Sequence, residues 1–234
     1  MGVHPTAIVD LRATLDGSAE IGPYVVIDGP VAIGPRTRVL AGAYLTGRTE
    51  IGADNVIHPG VVLGHEPQDV AYRGAETGLR IGDRNVIREH AEVHRGTEPG
   101  TWTEIGDDNY LMSQAHVGHN CRLGSNVIMA TGATLGGHVV VEDQAFISGN
   151  CVVHQHCRVG LRRAGFDRER MRALATAFRI LFRARTNLTA AMARVEAEVR
   201  SPDVDHLLAF IRGSRRGVAF GPARAATDDG AEDE

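Results

Sequence analysis

The feature that most constrains this chain is an aliphatic residue at every sixth position. The frame that runs from Val9 to Val159 has 26 such positions, and only Asp69, Ala75 and Pro99 in it are not Val, Ile, Leu or Met. A period of six held this long belongs neither to a helix nor to an ordinary strand. It marks a solenoid. Three hexads make an 18-residue coil, so the chain is expected to wind into a triangular prism of short parallel strands, the opening aliphatics stacked inside. Successive coils would bond backbone to backbone at about 4.8 Å. The 28 glycines suit an architecture that turns every few residues. Two polar stretches rich in Gly and Pro, at 64–80 and 94–104, interrupt the frame. They are expected to leave the prism as loops, where function tends to sit.

After Gly160 the period changes to a helical one. Met171, Leu174, Phe178 and Leu181 follow Asp167 as N-cap, and a second helix is expected over Leu188–Arg200 with Met192, Val195 and Val199 on one side. Ser201 and Pro202 open a third helix that runs to Gly213. The expected plan is a β-helix over 1–160, a helical domain over 161–220 and a disordered acidic tail over 221–234.

A net charge of −4 argues against a nucleic-acid binder. No apolar run approaches a membrane span, and no basic segment leads into an apolar one at the start, so the protein is expected to be cytoplasmic. Charge is uneven: residues 158–200 hold eleven Arg against four carboxylates, which invites an acidic partner. Cys121, Cys151 and Cys157 take the fifth place of their hexads, a place held elsewhere by Ala or Val. They are expected to be small buried residues, not nucleophiles or metal ligands.

Residues 18 apart stack on one face, so His119, His138, His154 and His156 gather on three layers, with His116 at the corner before them. Three readings compete. The histidines stack by accident of the repeat; they hold a metal, as in trimers of the gamma carbonic anhydrase type; or one is a general base and its neighbours bind a polar or anionic substrate. No Cys or carboxylate stands at an obvious ligand position, and no metal ligand is assigned.

The motifs HPTAIVD (4–10), PQDVAY (67–72), IGDRNVIREHAEVHRGT (81–97), AHVGHNC (115–121), TLGGHVVVED (134–143), VVHQHC (152–157) and GLRRAGFDRERMRAL (160–174) occur in this order. In that order they resemble the acyl-ACP–UDP-N-acetylglucosamine O-acyltransferase family of lipid A synthesis. The resemblance implies a left-handed parallel β-helix and a homotrimer. It also implies transfer of a 3-hydroxyacyl chain from acyl carrier protein to the glucosamine 3-hydroxyl of UDP-N-acetylglucosamine, without a cofactor. By motif, His119 is similar to the family's base, Asn120 to the residue that orients it, and Gly137 to the donor of the N–H that steadies the oxyanion. His138, His154 and Gln155 match substrate contacts, and Gln68, Asp69, His94 and His116 resemble others lining the cleft. The basic helices would meet the acidic carrier protein.

The chain departs from the family in three places. Asn120 stands where many members have aspartate, and Ala71 where members often have lysine. After Gly160 the chain enters LRRAGF directly, where the family continues for about another coil and a half bearing nucleotide contacts and part of the acyl pocket. Arg158, Arg162 and Arg163 stand where phosphate binding would have to be made up. Such a deletion also admits a catalytically impaired paralogue that acts as a trimeric scaffold.

Overall fold

In the computed structural model, residues 2–159, 168–183 and 187–213 are described. The Asp167 cap, Arg162, Arg163 and the acidic tail lie outside them, as does the side chain of Arg158. The chain divides into two compact units, Met1–Ala164 and Gly165–Glu234.

The first unit is the prism. Its strands form three parallel sheets of eight, eight and seven strands, each strand bonded to the one a coil away. The registers follow the meter: Val9 pairs with Ile27, Val117 with Leu135 and Leu135 with Val153. The two interruptions keep it. Leu63 pairs with Val93 and Ile51 with Ile81, then Ile81 pairs with Ile105, so the loops add twelve and six residues to the 18-residue coil. Insertion by whole hexads leaves every flanking aliphatic pointing inward, which is why the frame resumes without a slip.

The core is the column of opening aliphatics. Ile27, Leu45, Leu63, Leu111, Val117 and Leu135 are all buried to within 1%. Ala43, Val61, Ala115, Cys121 and Val139 fill the fifth hexad place beside them. Burial drives this column, because each strand is too short to be stable alone. Leu135→Ala is expected to cost about 2–5 kcal/mol, the usual range for emptying a buried leucine site. Denaturant unfolding would show it as a lower midpoint at unchanged slope.

Of the three cysteines, only Cys121 meets the expectation of burial. Its Sγ lies 3.1 Å from the Gly136 carbonyl, and burial pushes its thiol up to about 12. Cys151 is exposed and Cys157 half-exposed. They belong to the last described coils, and among the described residues no further strand stacks on Val152–Val153 or Arg158–Val159.

The second unit is helical: α1 spans Arg168–Arg183, α2 Leu188–Glu198 and α3 Pro202–Gly213. Asn187 caps α2 by accepting the Ala190 N–H at 2.8 Å. Val199, expected inside that helix, instead ends it in an extended conformation while staying buried. The core holds Ala177, Ile180, Leu181, Val195, Val204, Leu208 and Ile211, and Arg170 forks onto Asp203 to tie α1 to α3. Phe178 does not join it: Ala177 takes the buried place, and the half-exposed Phe178 ring packs on Phe182 at 4.9 Å. Among the described residues no helix is long and apolar enough to cross a membrane.

Candidate active site

The site grows from one corner of the prism. The fourth place of each hexad there has a left-handed backbone, with φ of 58° at Asn120, 59° at His138 and 61° at His156. Asn and His are among the side chains that tolerate this conformation best. Coil-to-coil bonds hold the corner, from the His138 N–H to the His119 carbonyl at 2.9 Å and from the His156 N–H to the Gly137 carbonyl at 3.0 Å. The meter thus places these side chains in a ladder. The His119 and His138 rings meet edge to face with centroids 5.1 Å apart, and His138 stacks on His156 at 4.6 Å.

His119 is buried, 6% exposed. Its Nδ1 lies 2.9 Å from the Asn120 side-chain oxygen, which also accepts the Thr97 N–H at 3.0 Å. The backbone donor identifies that atom as the amide oxygen, so the ring must donate from Nδ1 and carry its lone pair on Nε2. Asn120 is itself fixed by donating its N–H to the Thr103 hydroxyl at 2.8 Å. The result is a locked imidazole with one free basic nitrogen, the arrangement a general base needs. Asp69 reaches in from the first loop, its carboxylate 3.9 Å from Nε2.

Gly137 lies against the ring. A Cβ there would stand 2.5 Å from both Cε1 and Nε2 of His119, so only glycine fits. On another corner of the prism, the equivalent N–H groups of Ala53, Asp83, Asp107 and Ser125 are each capped by a side chain from the next coil. Among the described residues the Gly137 N–H has no such acceptor. A donor left open beside a base is what an oxyanion requires.

A second group adjoins the first along the strands. Glu92 and His94 share one side of their strand, and Glu92 pairs in register with His116. His116 Nδ1 lies 2.7 Å from the Glu92 carboxylate, and the His94 and His116 rings are 5.2 Å apart. His94 is buried and gives its Nδ1–H to the Glu66 carbonyl at 2.6 Å. Burial, above all, holds its pKa below the usual imidazole value.

That shift gives a stability prediction. A histidine whose folded pKa lies below the unfolded value of about 6.5 contributes stability above that pH and loses it as pH falls through the folded value. Melting temperature should therefore drop on acidification below about pH 6.5, and His94→Gln should flatten that slope. Thermal melts across the window would check it.

Of the residues expected in the site, His119, Asn120, Gly137, His138 and Asp69 come together, and His94 and His116 form the adjoining group. Gln68 is exposed on the loop, and no contact joins it to the others among the described residues. His154 is also exposed, its ring nitrogen 3.4 Å from the Gln155 carbonyl, and His156 takes the stacking place on His138. Gln155 lies under Gly136 in the last coil. The expectation that no carboxylate stands at an obvious ligand position is corrected by Glu92, which lies beside His116; Asp69 also faces His119, and Glu98 lies 3.8 Å from His138. Asp69 and Glu98 arrive on loops that no periodicity describes. Glu92 was legible, because strand alternation puts it on the side of His94.

The prism and its histidine corner define a hexapeptide-repeat transferase. Residues 103–137 match the profile of bacterial transferase hexapeptides, six repeats, and residues 146–219 match domain 2 of the UDP-N-acetylglucosamine O-acyltransferases. The chain belongs to the acyl-[acyl-carrier-protein]–UDP-N-acetylglucosamine O-acyltransferase family. It is 38% identical to the member from Thermodesulfovibrio yellowstonii, across 92% of this chain and 98% of that one. It is 39% identical to the member from Syntrophobacter fumaroxidans, across 93% and 99%. Solved structures agree. The UDP-N-acetylglucosamine acyltransferase from Bacteroides fragilis superposes with a TM-score of 0.79 at 31% identity, covering 93% of this chain and all of that one. The structure of the Acinetobacter baumannii relative gives 0.82 at 29% identity, covering 92% and 98%. The fold is the left-handed parallel β-helix of this family, with three helices after it.

The departure after Gly160 has a structural counterpart. The last described strand of the prism is Arg158–Val159 and α1 begins at Arg168, so only residues 160–167 lie between. Alignment to the Thermodesulfovibrio relative runs over 253 positions against 234 residues here, so that relative holds residues this chain lacks.

Proposed function

We propose that this chain transfers a 3-hydroxyacyl group from acyl carrier protein to the glucosamine 3-hydroxyl of UDP-N-acetylglucosamine, the first step of lipid A synthesis. The observation that carries the reading is the locked His119, its Nδ1 bonded to Asn120 and its Nε2 free beside the open Gly137 N–H. Nε2 takes the hydroxyl proton as the sugar oxygen attacks the thioester carbonyl, and the Gly137 N–H receives the negative charge that develops on the carbonyl oxygen. Collapse releases the carrier thiol, which takes the proton back from the imidazolium. The thioester is already activated, so the step needs no acyl-enzyme and no cofactor. The buried Cys121 thiol, pushed up to about 12, is no nucleophile at neutral pH.

Asn120 orients the ring but brings no charge to the imidazolium. Asp69, 3.9 Å from Nε2, is the carboxylate placed to do so. His138, His154 and Gln155, with His94, His116 and Gln68, supply the polar surface for the nucleotide sugar, and the arginine-rich helices meet the acidic carrier protein. The working form is a cytoplasmic homotrimer. A second reading, a trimeric binding protein without turnover, has one observation behind it, the eight residues that separate the last described strand at Val159 from α1 at Arg168.

The product distinguishes the chemistry. Proton and carbon NMR should show the ester on the glucosamine 3-oxygen, with the amide intact. Free 3-hydroxy acid in place of the ester, or acylation at another oxygen, would contradict the assignment.

A further inference from the structure

We propose that Glu92, His94 and His116 form a binding site for a divalent transition-metal ion of the zinc class, beside the His119 corner. Each residue offers one ligand atom, and the three atoms lie within 4.8 Å of one another. The arrangement follows from the coil. Alternation along Glu92–His94 puts the carboxylate and the imidazole on one side, and parallel register sets His116 opposite Glu92.

The second observation is His94 itself. Its Nδ1–H is committed to the Glu66 carbonyl at 2.6 Å, so its lone pair is on Nε2. That nitrogen is buried in a residue only 3% exposed and has no hydrogen-bond partner among the described residues. The atom it faces is another acceptor, Glu92 Oε2 at 3.8 Å. An unmatched buried acceptor destabilises the fold, and a second acceptor opposite adds repulsion. A cation between them removes both penalties.

The chemistry of the set fits zinc. Two imidazoles and one carboxylate are a known zinc donor set with a fourth position left for water, and bonds of about 2.0–2.2 Å put tetrahedral ligands about 3.4 Å apart. The Glu92–His94 separation of 3.8 Å is close to that, and an ion would replace the 2.7 Å bond between Glu92 and His116. A backbone carbonyl behind the ligating histidine, here that of Glu66, is the usual support that fixes ring and tautomer.

The test reads metal occupancy and not turnover, so it is independent of the transfer reaction. Full-length protein freed of metal with a chelator would be titrated with zinc chloride by calorimetry and with cobalt chloride by visible absorption. One ion per chain is expected, with cobalt bands of a four-coordinate site. Glu92→Gln and His116→Gln should each weaken binding about tenfold or more, while His119→Ala keeps the parent affinity. Circular dichroism would show each variant folded. No stoichiometric binding overturns the proposal. So does an affinity untouched by Glu92→Gln and His116→Gln, or one lost in His119→Ala.

Discussion

His119→Ala is expected to lower the rate of acyl transfer by about 10²–10⁴-fold, the usual contribution of a positioned general base. The fold should survive, because the ring sits at a corner of the prism and not in its aliphatic column. The effect should fall on kcat more than on KM, since the proton moves only as the bond forms. His119→Gln is the sharper variant. It keeps a side chain of polar character at the corner but offers no basic nitrogen, so it should be as slow as the alanine. Steady-state kinetics with saturating nucleotide sugar would measure both. A loss of less than about tenfold would remove His119 from the chemistry.

Gly137→Ala should have an effect of similar size for a different reason. The added methyl would stand 2.5 Å from Cε1 and Nε2 of His119, well inside van der Waals contact. Either the ring swings away, which breaks its bond to Asn120, or the Gly137 backbone retreats and carries its N–H off the oxyanion position. Removing one such donor alone costs about 10²–10³ in kcat, and displacing the base adds to it. Stability should change far less than activity, because Gly137 lies in a turn and its carbonyl bond to His156 can persist. Comparable loss of melting temperature and rate would assign the glycine to folding alone.

Much of this was legible because one periodicity governs both the core and the site. The six-residue frame that stacks Val117 on Leu135 and Leu135 on Val153 also stacks Asn120, His138 and His156. The ladder of rings is therefore a consequence of the same register. Positions on the loops escaped it. Asp69 and Glu98 reach the histidines, and Thr97 reaches Asn120, from stretches where the frame is broken, and no repeat says where such a chain returns. Edges escaped it too. Cys151, expected to be buried, sits exposed in the last described coil. A repeat describes the interior of a stack, and its ends obey different packing. The helices were read closely because Ser201, Pro202 and helical spacing mark their starts and faces; Phe178 went astray by one position around the turn.

The central claim is that a chain with only eight residues between the prism strand Arg158–Val159 and α1 still carries out the transfer. The direct measurement incubates the purified full-length chain with UDP-N-acetylglucosamine and a panel of 3-hydroxyacyl carrier proteins of increasing chain length, with mass spectrometry of the nucleotide sugar. The account predicts a singly acylated product with at least one donor, absent with His119→Ala. No product with any donor, from protein shown to be folded, would contradict it.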